Sequence, residues 1–217
     1  MLDELVANAL IDIQAVGFSP YQPVTFKSGI ISPTYVDNRR LIYWPAQWQT
    51  IIEAFQQCIT DKNLPFDVIA GIATGGVPHS SVLAYNLKKP AVYIRQQSKD
   101  HGTQSMIEGG DVKDQRVLLV EDMITTGGSS LNGVRVLREA GATVTDCLSV
   151  TSYGFAMSQQ AFLVAQVQLH TLTTFSVIVQ ESVKRGNLTP AELSIVEDWL
   201  VEPHHWAERQ NFEDVST

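Results

Sequence analysis

The residues Val117 to Ser130, VLLVEDMITTGGSS, end an apolar run in two acids and then in a row of hydroxyls and glycines. From Thr125 onward the chain reads Thr126, Gly127, Gly128, Ser129, Ser130. Successive backbone N–H groups at the start of a helix carry partial positive charge, so this turn can cradle a dianionic phosphate, and the two glycines let the backbone come close to it. Glu121 and Asp122 would repel that phosphate unless they face something else. Sugar hydroxyls are the obvious partner, and a phosphate beside a vicinal diol describes a ribose 5-phosphate. A Ser/Thr-capped helix would account for the hydroxyls but not for the paired acids. The pattern is neither a GxxxxGK[ST] phosphate loop nor a GxGxxG dinucleotide turn.

Three further segments offer chemistry. GIATGGVPHS, 71–80, follows another apolar run and exposes backbone around Thr74, Gly75 and Gly76; taken alone it reads as a tight strand-to-helix turn. YIRQQSKDHGTQSMIEGG, 93–110, is polar, carries Arg95, Lys99 and His101, and closes in glycines, the composition of a solvated loop or a movable flap. FKSGIISPTYVDNR, 26–39, offers Lys27, Arg39 and the flat face of Tyr35, which can lie against a planar ring or simply pack in a hairpin.

In this order and spacing, the acid–acid–x–x–Thr–Thr–Gly–Gly–Ser run and the 71–80 turn resemble the 5-phosphoribosyl 1-diphosphate (PRPP) site of type I phosphoribosyltransferases. The R…KDHG…IEG loop and the FKSG segment resemble the orotate phosphoribosyltransferases among them. The likeness covers most of residues 1–150, while HTLTTF and the C-terminal stretch match loosely. It implies an α/β fold, a central parallel sheet with helices on both faces plus a small N-terminal hood. The implied reaction transfers 5-phosphoribosyl from PRPP to orotate, giving orotidine 5′-monophosphate and pyrophosphate in pyrimidine (UMP) biosynthesis. Mg²⁺ would be bridged by PRPP, with no ligand from protein side chains, and a homodimer would share the flap across subunits.

The resemblance also distributes roles. Glu121 and Asp122 would hold the ribose diol, the latter counted with the catalytic groups. Thr125, Thr126, Gly127, Gly128 and Ser129 would hold the 5-phosphate, and Thr74, Gly75 and Gly76 the pyrophosphate. Arg95, Lys99 and His101 would serve the leaving group, and Lys27, Tyr35 and Arg39 the orotate. Two departures stand out. Gln96 and Gln97 follow Arg95 where many members carry Lys, and TSYGFAMSQQ lacks the Arg that in some members pairs with the orotate carboxylate, leaving that part to Arg39 or to backbone amides. The missing Arg keeps open a phosphoribosyltransferase for another base, such as a purine. A non-catalytic PRPP-sensing regulator would be expected to add a DNA-binding segment and a basic surface.

These residues need a scaffold. Residues 2–16 space apolar side chains as an amphipathic helix with Gly17 as its stop; VTFKSG and SPTYVDNR read as two strands around a Ser28–Gly29 turn; Pro45 opens a helix to about residue 62. Strand and helix then alternate: FDVIAGI and a helix near 77–88, AVYIR and the polar loop, VLLVED and a helix over 128–140 closed by Gly141, TVTDCLSV and a helix near 158–166. Continuous apolar strands alternating with helices imply a covered parallel sheet, with ligands at the strand C-termini. Thr189 and Pro190 start a C-terminal helix. We divide the chain into helix and hood (1–44), α/β core with flap 96–110 (45–175) and a C-terminal helical segment (176–217), all in one domain.

With 217 residues, 44% of them hydrophobic, the chain can bury one sizeable core. Its net charge of −8 argues against nucleic-acid or anionic-membrane binding, so any bound phosphate is held locally. Cys58 and Cys147 show no metal-ligand spacing. No apolar run approaches the roughly 18 residues of a membrane span and no basic leader precedes one, so a cytoplasmic protein is expected.

Overall fold

The computed structural model describes residues 1–26, 28–95, 106–210 and 212. Helix α1, Leu2–Asp12, leads into β1, Val16–Phe18, then β2, Val24–Thr25, β3, Ile31–Ser32, and β4, Thr34–Val36. A 3-10 turn, Asn38–Tyr43, hands over to α2, Pro45–Asp61, β5, Val68–Ile72, α3, Gly76–Leu87, β6, Ala91–Ile94, and β7, Ile107–Glu108. Then come β8, Arg116–Ile124, α4, Gly128–Glu139, β9, Thr143–Ser152, α5, Ala156–Val164, and β10, Gln168–Thr174. Helices α6, Phe175–Lys184, α7, Pro190–Val201, and α8, Trp206–Arg209, end the chain.

The central sheet has six strands in the order β10-β9-β8-β5-β6-β7, all parallel except β7, which runs antiparallel to β6. Alternate side chains of the buried strands go to opposite faces, as the two-residue period demands. Ile69, Leu118, Val120, Leu148 and Val150 pack with α1, α2, α6 and α7. Val68, Ala70, Val117, Leu119 and Cys147 pack on the other face with α4 and α5. This is the expected doubly covered parallel sheet. A Leu119→Ala change, at a side chain with 0% exposure, would cost about 2–5 kcal/mol.

Several boundaries differ from expectation. Helix α1 stops at Asp12 because Gln14 takes a left-handed φ of 54°, and Gly17 is no helix stop but lies in β1, opposite Tyr35. The hood is two ribbons rather than one hairpin: β2 pairs with β3 around Gly29, whose φ is 84°, whereas β4 returns to β1. The segment expected to be flap includes β7, so strand pairing claims its C-terminal part, and residues 96–105 lie outside the described region. β10 was not indicated by any apolar run, since Thr171, Thr173 and Thr174 interrupt it.

The C-terminal helices close over the hood. Thr189 caps α7 by a capping box, its hydroxyl accepting from the Glu192 amide while the Glu192 carboxylate accepts from the Thr189 amide at 2.9 Å. The indole N–H of Trp199 donates to the Ile31 carbonyl at 3.0 Å, and Arg185 pairs with Asp12 at 2.6 Å. Among the described residues no helix is long and apolar enough to cross a membrane.

Candidate active site

The C-terminal ends of β5 and β8 meet the exit of the hood, and two pockets open there. One is polar, about 220 Å³, walled by Thr74, Gly75, Glu121, Asp122 and Ser129 with Asp37 and Arg39 from the hood side. The other is apolar, about 450 Å³, walled by Thr25, Phe26, Tyr35, Thr125 and Tyr153. Val36 and Met123 line both. The apolar pocket is of a size that holds small molecules, and the polar one adjoins it.

The paired acids of β8 separate in role. Glu121 is 4% exposed, and its oxygens accept from the hydroxyls of Ser130 at 3.2 Å and Ser129 at 3.3 Å and from the Asp122 amide at 3.1 Å. Burial first, and then the neighbouring Asp122 charge, pushes the Glu121 carboxyl well above the usual carboxylate range. Glu121 thus anchors the first turn of α4 while also lining the polar pocket. Asp122, half-buried, faces the polar pocket, with its carboxylate against the turn before α3. A Cβ on Gly75 would fall into that carboxylate, so only glycine fits.

The turn between β8 and α4 depends on Gly127. Gly127 takes φ 83°, and a Cβ there would meet Phe162 at 2.8 Å, so position 127 demands glycine twice over. The amides at the start of α4 have no partner inside the helix. Thr126 and Gly128 complete the turn, while Thr125 also walls the apolar pocket. Thr74 opens the turn before α3, where the Ala73–Thr74 peptide is cis and Gly76 is the first helical residue.

Other expected residues are more scattered. Tyr35 is 42% exposed on the apolar pocket, and its hydroxyl accepts from Arg39 Nη2 at 2.9 Å. Arg39 Nε donates to Asp37 at 2.6 Å, so the guanidinium stands on the polar side and meets the apolar one only through Tyr35. Arg95 lines neither pocket; it pairs with Glu108 at 3.5 Å across β6 and β7. Lys27, Lys99 and His101 lie outside the described residues.

Sequence reasoning missed several contributors. Tyr153 follows β9, stacks on Phe155 at 5.4 Å and meets Trp199 edge-on at 5.2 Å, making the floor of the apolar pocket. Its place just beyond a parallel strand was the one available signal. Asn38, 1% exposed, donates to the Asp122 carbonyl at 2.6 Å and to the Thr151 hydroxyl at 2.8 Å. His79, in the first turn of α3, is 0% exposed and accepts from the Trp48 indole N–H at 3.0 Å. Burial lowers its pKa to about 4, with the Asp122 charge opposing, so the ring is neutral near pH 7 with its proton on Nε2.

A family model of the phosphoribosyl transferase domain matches residues 39–158. The orotate phosphoribosyltransferase of Coxiella burnetii is 41% identical over 201 residues, 93% of this chain and 96% of that protein. That of Halalkalibacterium halodurans is 37% identical over 202 residues, with 93% and 96% covered. Among solved structures, orotate phosphoribosyltransferase from Aeropyrum pernix matches with a TM-score of 0.72 and 29% identity, over 85% of this chain and 99% of that one. Leishmania donovani UMP synthase matches with a TM-score of 0.79 and 25% identity over 92% of this chain, which spans 42% of that longer protein. With identities of 41% and 37% over 93% of its length, this chain belongs to the orotate phosphoribosyltransferase family.

Proposed function

We propose that the two adjoining pockets divide the substrates of this orotate phosphoribosyltransferase, the polar one taking the ribosyl and pyrophosphate parts of PRPP and the apolar one taking orotate. The shared wall carries the reading: with Val36 and Met123 common to both, a base in one pocket and a sugar in the other meet where the new glycosidic bond would form. Asp122 receives the ribose hydroxyls, the amides from Thr125 to Ser129 receive the 5-phosphate, and the amides of Thr74 to Gly76 receive the pyrophosphate. Glu121 holds the α4 turn in place for them. Tyr35, with Phe26 and Tyr153, offers flat apolar faces to the pyrimidine, and Arg39 can reach its carboxylate beside the Tyr35 hydroxyl.

Attack of the base nitrogen at the ribose anomeric carbon, as pyrophosphate departs, needs alignment and charge stabilisation more than covalent help. Arg95, Lys99, His101 and Lys27 are the cations the family resemblance assigns to that charge. Arg95 must first leave Glu108, and a partly exposed pair of that kind is worth at most about 1 kcal/mol. Closure of the flap would exclude water from the reactive sugar.

Mg²⁺ suits the donors available. Asp122 and Asp37 bring hard carboxylate oxygens to the polar pocket, the donor type Mg²⁺ takes. When bound, it would supply positive charge to the departing pyrophosphate. We place the enzyme in the cytoplasm, as a homodimer with flaps exchanged between subunits. Mixing Lys99→Ala with Asp122→Ala chains would then restore partial activity, and no rescue in verified heterodimers would count against the shared site.

The activity is tested by following orotate absorbance on adding PRPP and Mg²⁺, with Lys99→Ala and an EDTA-treated sample alongside. Turnover lost in both controls supports the assignment and shows that Gln96 and Gln97 are tolerated. Absence of turnover with orotate, together with turnover of adenine or xanthine, would overturn the base assignment.

A further inference from the structure

Asn38 is the first residue of the 3-10 turn, two positions beyond the strand that carries Tyr35 and Val36 into the apolar pocket. It is 1% exposed, and both protons of its amide nitrogen are committed. One goes to the Asp122 carbonyl at 2.6 Å, the other to the Thr151 hydroxyl at 2.8 Å. The Thr151 hydroxyl, itself 1% exposed, donates in turn to the Met123 sulfur at 3.1 Å. The Asn38 Oδ1 atom, by contrast, is buried without a partner. The amide is therefore oriented by its donors: turning it over would set oxygen against the Asp122 carbonyl and bury an unpaired nitrogen, and unpaired buried polar groups are the costly ones.

One amide thus fastens three things together: the exit of the hood, the backbone of the acid facing the polar pocket, and the methionine that walls both pockets. We propose that Asn38 is a positioning residue that couples the two pockets, so that filling the apolar pocket with the base sets the affinity of the polar pocket for the sugar phosphate, and the reverse. This inference rests on the division of substrates proposed above. A base pressing on Val36 and Met123 shifts the hood exit and β8, and the Asn38 bond transmits that shift to Asp122. Coupling of binding sites is reciprocal, so each ligand must tighten the other by one factor.

The test uses the whole enzyme and two ligands that cannot react with each other, ribose 5-phosphate and orotate, with affinities read by calorimetry. In the native protein, saturating orotate is expected to tighten ribose 5-phosphate by at least about fivefold, with orotate tightened equally by ribose 5-phosphate. Asn38→Ala and the near-isosteric Thr151→Val should each reduce that factor to less than about twofold, whereas Thr151→Ser, which keeps the hydroxyl, should retain it. Thr151→Val and Thr151→Ser carry the comparison if Asn38→Ala fails to fold. A factor that survives in Thr151→Val or Asn38→Ala, or that is absent in the native protein, overturns the inference. Two further variants separate this failure from that of the underlying reading. If Asp122→Asn leaves ribose 5-phosphate binding unchanged and Tyr35→Ala leaves orotate binding unchanged, the division of substrates itself is wrong.

Discussion

The polar and apolar pockets share a wall but are made in different ways. The polar pocket comes mainly from two short contiguous stretches, each the end of a core strand and the start of the next helix, with Asp122 and Ser129 only seven positions apart, closed on one side by the hood exit at Val36, Asp37 and Arg39. The apolar pocket is assembled from a hood of two- and three-residue strands, from Met123 and Thr125 at the end of β8, and from Tyr153, backed by Trp199 of α7, which reaches back 168 residues to the Ile31 carbonyl. Local construction places charge and dipoles on a stiff sheet. Long-range construction leaves shape dependent on packing. Substitutions behind the polar pocket should therefore change chemistry at nearly constant stability, and substitutions behind the apolar pocket should lower stability along with base affinity.

The sharpest way to break this contrast is at Asp122. Asp122→Asn removes the charge facing the polar pocket without changing volume, and we expect kcat/KM to fall by on the order of 10²-fold or more, as misaligned reactants do, while the melting temperature stays close to native. Steady-state kinetics and a thermal melt check both halves. On the other side, Trp199 is 0% exposed and meets Tyr153, Phe155 and Phe26 edge-on. Trp199→Ala should cost about 3–5 kcal/mol in denaturant unfolding, with the KM for orotate rising more than that for PRPP.

Acid sharpens the comparison. His79 has its folded pKa lowered to about 4 from 6.5, so between those values the unfolded chain binds the extra proton. Stability contributed by the neutral ring is full above pH 6.5 and is lost on acidification toward pH 4, by up to roughly 3 kcal/mol. Glu121 has the opposite sign. Its carboxyl is raised above 4.5, so the folded state holds the proton longer and stability falls as pH rises from that value. Urea unfolding across pH 4–7 should show a slope that flattens in His79→Gln, whereas Glu121→Gln should flatten the opposing decline above pH 4.5. The smallest expected effect is that of Tyr35→Phe, which removes an exposed acceptor from Arg39 and should change orotate affinity by at most about 1 kcal/mol, measurable as a shift in KM.

What could be read in advance follows the same division. Glu121, Asp122 and the Thr125–Ser130 turn are neighbours in the chain, so residue type and spacing pointed directly to a strand end and turn that the structure brings to the pockets. The alternating apolar strands showed the sheet for the same reason. Asn38 was hidden because its partners, Asp122 and Thr151, are 84 and 113 positions away, and a buried asparagine has no periodicity. The inequality of the two acids was equally invisible, since only burial and the hydroxyls of Ser129 and Ser130 distinguish Glu121. β10 escaped because His170 and Thr173 are buried polar residues, and the 2.7 Å partner of His170, Asp146, lies on the adjacent strand.

The division of substrates is tested most directly by one crossed experiment, the KM for PRPP and the KM for orotate measured in native enzyme, Asp122→Asn and Tyr35→Ala. The account predicts that Asp122→Asn raises the KM for PRPP and leaves that for orotate nearly unchanged, and that Tyr35→Ala does the reverse. Parallel rises for both substrates in both variants, or the opposite pairing, would contradict it.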